Sequence, residues 1–229
     1  MIPIFSMKRS ALNINNAIYI FDGNSLTSGM GGTPYPTQLL TTAPFSSNGS
    51  VFYNKGVGAQ QTSQMISDAV SDIDVNYSNL VHCFVIANEI GNDIYYNGNV
   101  RNAVNSFWNY CDARRLVGFK VGVITLQDRS YSNYGVSTVA GDNELQFRTK
   151  IILANTYLRD EYLSHADFLI DIGLNAYIGI NATDINSEYN CYNTTYFDDK
   201  VHCKTAGYAI WANMVRIGIL TYTKNIGLI

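Results

Sequence analysis

"LVHCFVIANE", residues Leu80 to Glu89, is the stretch whose reading decides the fold. It is nearly all apolar, the pattern of a central parallel strand covered on both faces. Working outward, "AIYIFDG" reads as a first strand, "SVFYNKG" as a second, "FKVGVITLQD" as a fourth and "ADFLIDIG" as a fifth. Between them lie helical patterns. "YPTQLLTTA" is a short helix announced by Pro34 and Pro36. "QQTSQMISDAVSDI" puts Met65, Ile66, Ala69 and Ile73 on one face, and Val100, Val104, Phe107 and Cys111 keep helical spacing. "ELQFRTKIILANTYLRDEYL" is a long helix, residues 174–197 an irregular loop, and the stretch after His202 a closing helix. Strand–helix alternation of this kind predicts an α/β fold: a three-layer α/β/α sandwich around a central, mainly parallel five-stranded sheet. With no linker, repeat or low-complexity tract, residues 1–229 read as a single domain.

The bulk numbers exclude several classes. A formal net charge of −3 gives no basic field for nucleic acid. The one basic cluster, Arg114, Arg115 and Lys120, falls at a helix end, where cations complement the dipole. No apolar run approaches the roughly 20 residues of a membrane span. The opening "MIPIFSMKRSALN" is not expected to be a secretory signal, because its apolar stretch is short and precedes the basic residues. Cys83, Cys111, Cys191 and Cys203 show no CxxC spacing, so no metal is expected from them. Cys83 and Cys111 read as core thiols; pairing of Cys191 with Cys203 stays open. Seventeen tyrosines and abundant Asn, Ser and Thr give a polar, weakly charged surface suited to hydroxyl-rich ligands. The sequons at Asn181 and Asn193 read as accidents of that composition.

In open α/β sheets, ligands bind outside the carboxyl ends of the strands. The residues just after the strands therefore carry the functional expectation. After the first strand comes "FDGNSLTSG", with Ser25 between turn-formers. After the second comes "NKGVGAQQT", with Asn54, Gly56, Gly58 and Ala59. After the third comes "NEIGNDI", with Asn92 and Asp93. At the start of the last helix comes "FDDKVHCKTAGY", with Asp199 and His202.

With these four blocks in this order, the chain resembles the SGNH hydrolases, also called GDSL esterases and lipases, over about Ile18 to Ile217. The resemblance implies the flavodoxin-like SGNH fold, an ester hydrolase and no cofactor. It implies a catalytic triad of Ser25, His202 and Asp199, and an oxyanion hole from Ser25, Gly58 or Ala59, and Asn92. The opening "FDGNSLTSG…YPTQLL" and the Asn/Tyr-rich style are similar to sugar deacetylases of bacteriophage tails, implying an O-acetylated carbohydrate or other small ester as substrate. Two departures stand out. The usual Gly-Asp before the serine is Gly23-Asn24, and Ile90 occupies the first glycine of the family's GxND.

The chemistry needs these residue types. A serine hydroxyl is a poor nucleophile without a base, imidazole titrates near neutrality, and a carboxylate on the other ring nitrogen selects the tautomer. The oxyanion formed on attack needs fixed N–H donors. Asp199 has the DxxH spacing and Asp198 does not. His82 reads as a satisfied core histidine in the third strand, His165 as a solvated helix-end residue, Asp93 as a brace, and Arg148 as a helix-surface pair. Tyr95 and Tyr96 either line the site or pack a helix start. Three other readings compete: a lipase, lysophospholipase or thioesterase; a two-metal phosphoesterase, poorly supplied with only three histidines; and a non-catalytic carbohydrate-binding or structural tail module. Oligomeric state is not legible.

Overall fold

Strand β3 (Cys83–Asn88) runs through the middle of the molecule with every residue buried. The computed structural model describes residues 14–78, 80, 82–131, 143–180 and 189–227. Around β3 stand β1 (Ile18–Gly23), β2 (Val51–Asn54), β4 (Lys120–Ile124) and β5 (Phe168–Ile170). They form a five-stranded sheet in the order β2-β1-β3-β4-β5, and every pairing is parallel. Side-chain alternation along β3 explains why the sheet is covered twice. Phe84 and Ile86 point to one core, Val85 and Ala87 to the other.

The helices divide accordingly. Helices α3 (Thr62–Ala69), α6 (Val100–Leu116) and α7 (Glu144–His165) pack Met65, Val104, Phe107, Ile151 and Leu158 against one face. Helices α2 (Tyr35–Leu40) and α8 (Thr205–Asn225) pack Leu39, Trp211, Val215 and Ile219 against the other. Among the described residues there are also the short α-helices α1 (Ser25–Ser28), α4 (Val75–Tyr77) and α5 (Gly91–Asn97). This is the α/β sandwich with a parallel five-stranded sheet that the sequence predicts.

Strand order fixes where a site belongs. The chain leaves β1 to one side for β2 and leaves β3 to the other for β4, so the connections after these two paired strands diverge at a switch point. The crevice beyond their carboxyl ends receives the segments after both strands. The two ends approach closely: a Cβ on Gly23 would come 2.2 Å from the Asn88 carbonyl oxygen. Only glycine fits there.

Three elements differ from the sequence reading. The fourth strand stops at Ile124, short of the expected Asp128. Beyond it, the Asn155 side chain takes over the backbone of Leu126, accepting from its N–H at 2.7 Å and donating to its carbonyl at 2.8 Å. The third helix begins behind a Gln61–Gln64 capping box and continues through a π-helical turn, Val70–Asp74, to Tyr77. His82 precedes β3 rather than lying in it. Its φ is +64°, and its buried Nδ1 has no hydrogen-bond partner among the described residues, so it is not a satisfied core residue. The opening stretch, the sequon at Asn181 and residues 181–188 of the irregular loop lie outside the described residues. All four cysteines are free, buried thiols, Cys191 and Cys203 included.

Candidate active site

Ser25 is the first residue of α1, immediately past β1. Asn24 caps that helix: its Oδ1 accepts the Leu26 N–H at 2.9 Å. Gly29, at φ +88°, ends the helix after a single turn. The tight turn holds Ser25 at the crevice, 8% exposed.

The histidine arrives from the far end of the chain. Between Tyr196 and Lys204 the backbone doubles back, with the Lys204 N–H bonded to the Tyr196 carbonyl and the Asp198 N–H to the His202 carbonyl. Within that loop Asp199 Oδ1 accepts the backbone N–H groups of Val201 at 3.0 Å and His202 at 2.7 Å. Its other oxygen lies 2.7 Å from His202 Nδ1, and His202 Nε2 lies 2.8 Å from Ser25 Oγ. A three-residue spacing thus lets one carboxylate brace the loop and orient the ring. Burial pushes the Asp199 carboxyl up, but its hydrogen bonds from the His202 backbone and ring outweigh this and hold it below the usual range. Asp198 engages His202 through its own backbone N–H, which donates to the His202 carbonyl.

Gly58, Ala59 and Asn92 line one cavity with Ser25 and His202, of about 350 Å³. Residues Val57 to Gln60 make a turn closed by the Gln60 N–H on the Val57 carbonyl, and Ala59 within it takes φ +59°. Asn92, in the first turn of α5, donates from Nδ2 to the Gln60 carbonyl at 2.9 Å and accepts at Oδ1 from Arg129 Nη1 at 3.2 Å. An amide nitrogen carries two hydrogens, so the second remains for the cavity. Asp93 accepts the backbone N–H and the hydroxyl of Thr62, pinning the start of α3 to α5. Ile90 caps α5 at φ +95°, a conformation natural to glycine and strained in a β-branched residue. Tyr95 and Tyr96 are edge-to-face neighbours on the cavity wall, Tyr95 buried and Tyr96 partly exposed.

Several residues at the site escaped the sequence reading. Glu89 is fully buried, accepting the Asn24 Nδ2–H on one oxygen and the Asn92 N–H at 3.0 Å on the other. Burial first, and the nearby Asp93 charge second, push its carboxyl from an ordinary 4.5 up to about 8, against its hydrogen bonds and Arg129. Arg129 and Gln127 come from the segment after β4. Gln127 donates to the Val201 carbonyl at 2.7 Å and accepts from Trp211 Nε1 at 2.8 Å and Cys203 Sγ at 3.1 Å. A usable signal was present: "LQDRS" is a polar cluster just after a strand, where the same rule points. Among the described residues no cluster of three or more His, Cys, Asp or Glu could hold a metal ion. His165 stacks on Trp108 and pairs with Asp112 at 2.9 Å, and Arg148 reaches the buried Asp128. In the basic cluster, Arg114 pairs with Asp74 and Lys120 with Asp167.

No family model matches the chain. No curated protein matches it either. Solved structures do. A protein described as an acylhydrolase from Bacteroides fragilis is 21% identical at TM-score 0.62, covering 93% of this chain and 89% of its own. A GDSL-like lipase from Bacteroides thetaiotaomicron is 17% identical at TM-score 0.60, with coverages of 92% and 89%. An acetylxylan esterase from Geobacillus stearothermophilus is 12% identical at TM-score 0.60, with coverages of 93% and 96%. At such identities the likeness is one of fold: the chain has the fold of these SGNH hydrolases over nearly its whole length.

Proposed function

We propose that the protein is a serine ester hydrolase working through an acyl-serine intermediate. The observation that carries this reading is the unbroken chain Ser25 Oγ, His202 Nε2, His202 Nδ1, Asp199 Oδ2, with contacts of 2.8 and 2.7 Å, at the switch-point crevice. His202 Nε2 removes the Ser25 proton as Oγ attacks the ester carbonyl. Asp199 keeps the remaining ring proton on Nδ1 and stabilises the imidazolium. The oxyanion is received by the Ser25 N–H, the N–H of Gly58 or Ala59, and Asn92 Nδ2–H. His202 then protonates the departing alcohol oxygen. Water, deprotonated by the same nitrogen, attacks the acyl-serine and releases the carboxylic acid and free Ser25.

Within that reading we place the substrate among O-acetylated carbohydrates. The cavity of about 350 Å³ holds a short acyl group, and Tyr96, exposed at its wall, offers a flat apolar face with a polar tip to a sugar. The fold shared with an acetylxylan esterase agrees with this choice. A tail-borne setting rests on the opening blocks and the Asn/Tyr-rich composition alone. The test is a panel of p-nitrophenyl esters of increasing acyl length beside acetylated polysaccharides, with Ser25→Ala as control. Acetate release from polysaccharide, abolished in the control, is expected. Preference for long acyl chains would make it a lipase or thioesterase. Sugar binding without turnover, and no fluorophosphonate adduct on Ser25, would make it a binding module.

A further inference from the structure

One departure from the SGNH pattern, Asn24, meets a buried acidic side chain across the crevice. The serine block normally carries an acidic residue just before the serine; here Asn24 stands in that place, and a carboxyl group comes from the other side of the crevice, on Glu89. We propose that Glu89 is a positioning residue that locks the turn bearing Ser25 to the helix start bearing Asn92. The proposal rests on the reading of Ser25 as nucleophile and Asn92 as oxyanion donor.

The hydrogen-bond inventory carries the argument. Asn24 Oδ1 is taken by the Leu26 N–H, which caps α1 and sets the position of Ser25. That fixes the amide, so Nδ2 must face Glu89, where it donates to Oε2. Glu89 Oε1 accepts the backbone N–H of Asn92, one of the N–H groups that a helix start leaves without an intrahelical partner. One side chain thus receives a donor from each of the two segments that flank the crevice. Glu89 sits two residues before Gly91 and beside the strained Ile90, so its carboxyl group also anchors the bend that aims Asn92. The charged groups facing it are Asp93 on α5 and Arg129 after β4, and Arg129 itself holds Asn92 Oδ1. A residue that needed only to fill space here would be apolar, because a fully buried carboxyl is costly unless its partners are in place.

The inventory also dictates the test. In Glu89→Gln one acceptor becomes a donor and faces either the Asn24 amide or the Asn92 N–H. In Asn24→Asp the amide donor to Glu89 is lost and two carboxyl groups meet in a buried site. In the double variant the pattern is restored with the carboxyl group moved across the crevice: the new aspartate accepts from Leu26 and from the new glutamine amide, whose oxygen accepts from Asn92. Each single variant is expected to lose at least about tenfold in kcat with little change in KM, since a fixed donor is displaced. The double variant is expected to recover most of that loss. The rate of fluorophosphonate labelling at Ser25 should follow kcat. Should Glu89→Gln fail to fold, Asn24→Ser keeps a helix cap but cannot reach Glu89, and it is expected to show the same kcat loss. Wild-type kcat in Glu89→Gln or in Asn24→Ser overturns the proposal. So does a folded double variant no better than the worse single. Absence of labelling and turnover in the wild type overturns the hydrolase reading, and this inference with it; Ser25→Ala inactive beside an unimpaired Glu89→Gln overturns this inference alone.

Discussion

Arg129 Nη1 lies 3.2 Å from Asn92 Oδ1, and both side chains are buried. This contact decides which end of the Asn92 amide faces which neighbour. Turning the amide over would set its nitrogen against a guanidinium and its oxygen against the Gln60 carbonyl. Asn92 is therefore held as a donor before any substrate arrives, which is what stabilising an oxyanion requires.

Replacing Asn92 by alanine is expected to lower kcat by about 10²–10³, the usual consequence of losing one oxyanion donor. Asn92→Asp keeps the size and the Arg129 contact but has no N–H to offer, so it should do no better. Steady-state kinetics check both, with the urea midpoint as a control for folding. Full activity in either variant would remove Asn92 from the oxyanion hole.

Asp199→Asn is expected to reduce kcat by about 10³ or more, because the new amide presents a donor where the ring needs an acceptor on Nδ1. The wild-type pH dependence has a definite sign. Asp199 titrates lower in the fold than in the unfolded chain, so its contribution to stability is complete above the ordinary 3.8 and is lost as pH falls through the depressed value. Acid unfolding curves of wild type and Asp199→Asn should converge only in that acid range. A gap between them that persists unchanged to the lowest pH would contradict the assignment.

Glu89 has the opposite sign. Its carboxyl is raised to about 8, so the fold holds that proton better than the unfolded chain does. The corresponding stability is complete below 4.5 and is lost as pH rises through about 8. Melting temperatures measured from pH 5 to 8.5 are expected to fall more steeply in wild type than in Glu89→Gln, where no proton is exchanged at that position. Parallel slopes would show that Glu89 is ionised throughout.

The strands and long helices were legible because their signals are local: apolar runs for β1 and β3, helical spacing for α6. The Asp199–His202 spacing was legible for the same reason. Glu89 was not, because in sequence it is only the polar end of an apolar strand; its meaning comes from Asn24, which lies 65 residues away. Arg129 and Gln127 were missed because their partners, Asn92 and Val201, are brought to them only by the packing of the sheet. The end of β4 was misread for a related reason: a remote side chain, Asn155, supplies the bonds that a neighbouring strand would otherwise give Leu126.

Ile90 tests how backbone strain trades against burial. It is fully buried at φ +95°. Truncation to alanine keeps the strain and opens a cavity, at about 2–5 kcal/mol. Truncation to glycine opens a slightly larger one but relieves about 1–3 kcal/mol of strain. Glycine normally destabilises relative to alanine; here the order is expected to reverse, with both variants below wild type in urea titrations. An alanine variant clearly more stable than the glycine variant would mean that Ile90 is not strained.

Gln127 ties the histidine loop to the rest of the fold, and its three bonds cannot be reproduced by an apolar side chain. Gln127→Leu strands the Val201 carbonyl and the Trp211 N–H in a buried site, at about 1–3 kcal/mol each. The loss should not stop at stability. The Val201 carbonyl belongs to the peptide that leads into His202, so freeing it lets the ring drift from Ser25. Drift of even about 1 Å at a reacting group costs up to 10²-fold. Folded Gln127→Leu is therefore expected to show a lower kcat and a slower fluorophosphonate reaction at Ser25, measured well below its melting temperature. Gln127→Glu retains the acceptor for Trp211 but not the donor to Val201, so it isolates the loop contact. Lowered stability with wild-type kcat in both variants would make Gln127 a core residue with no hold on His202.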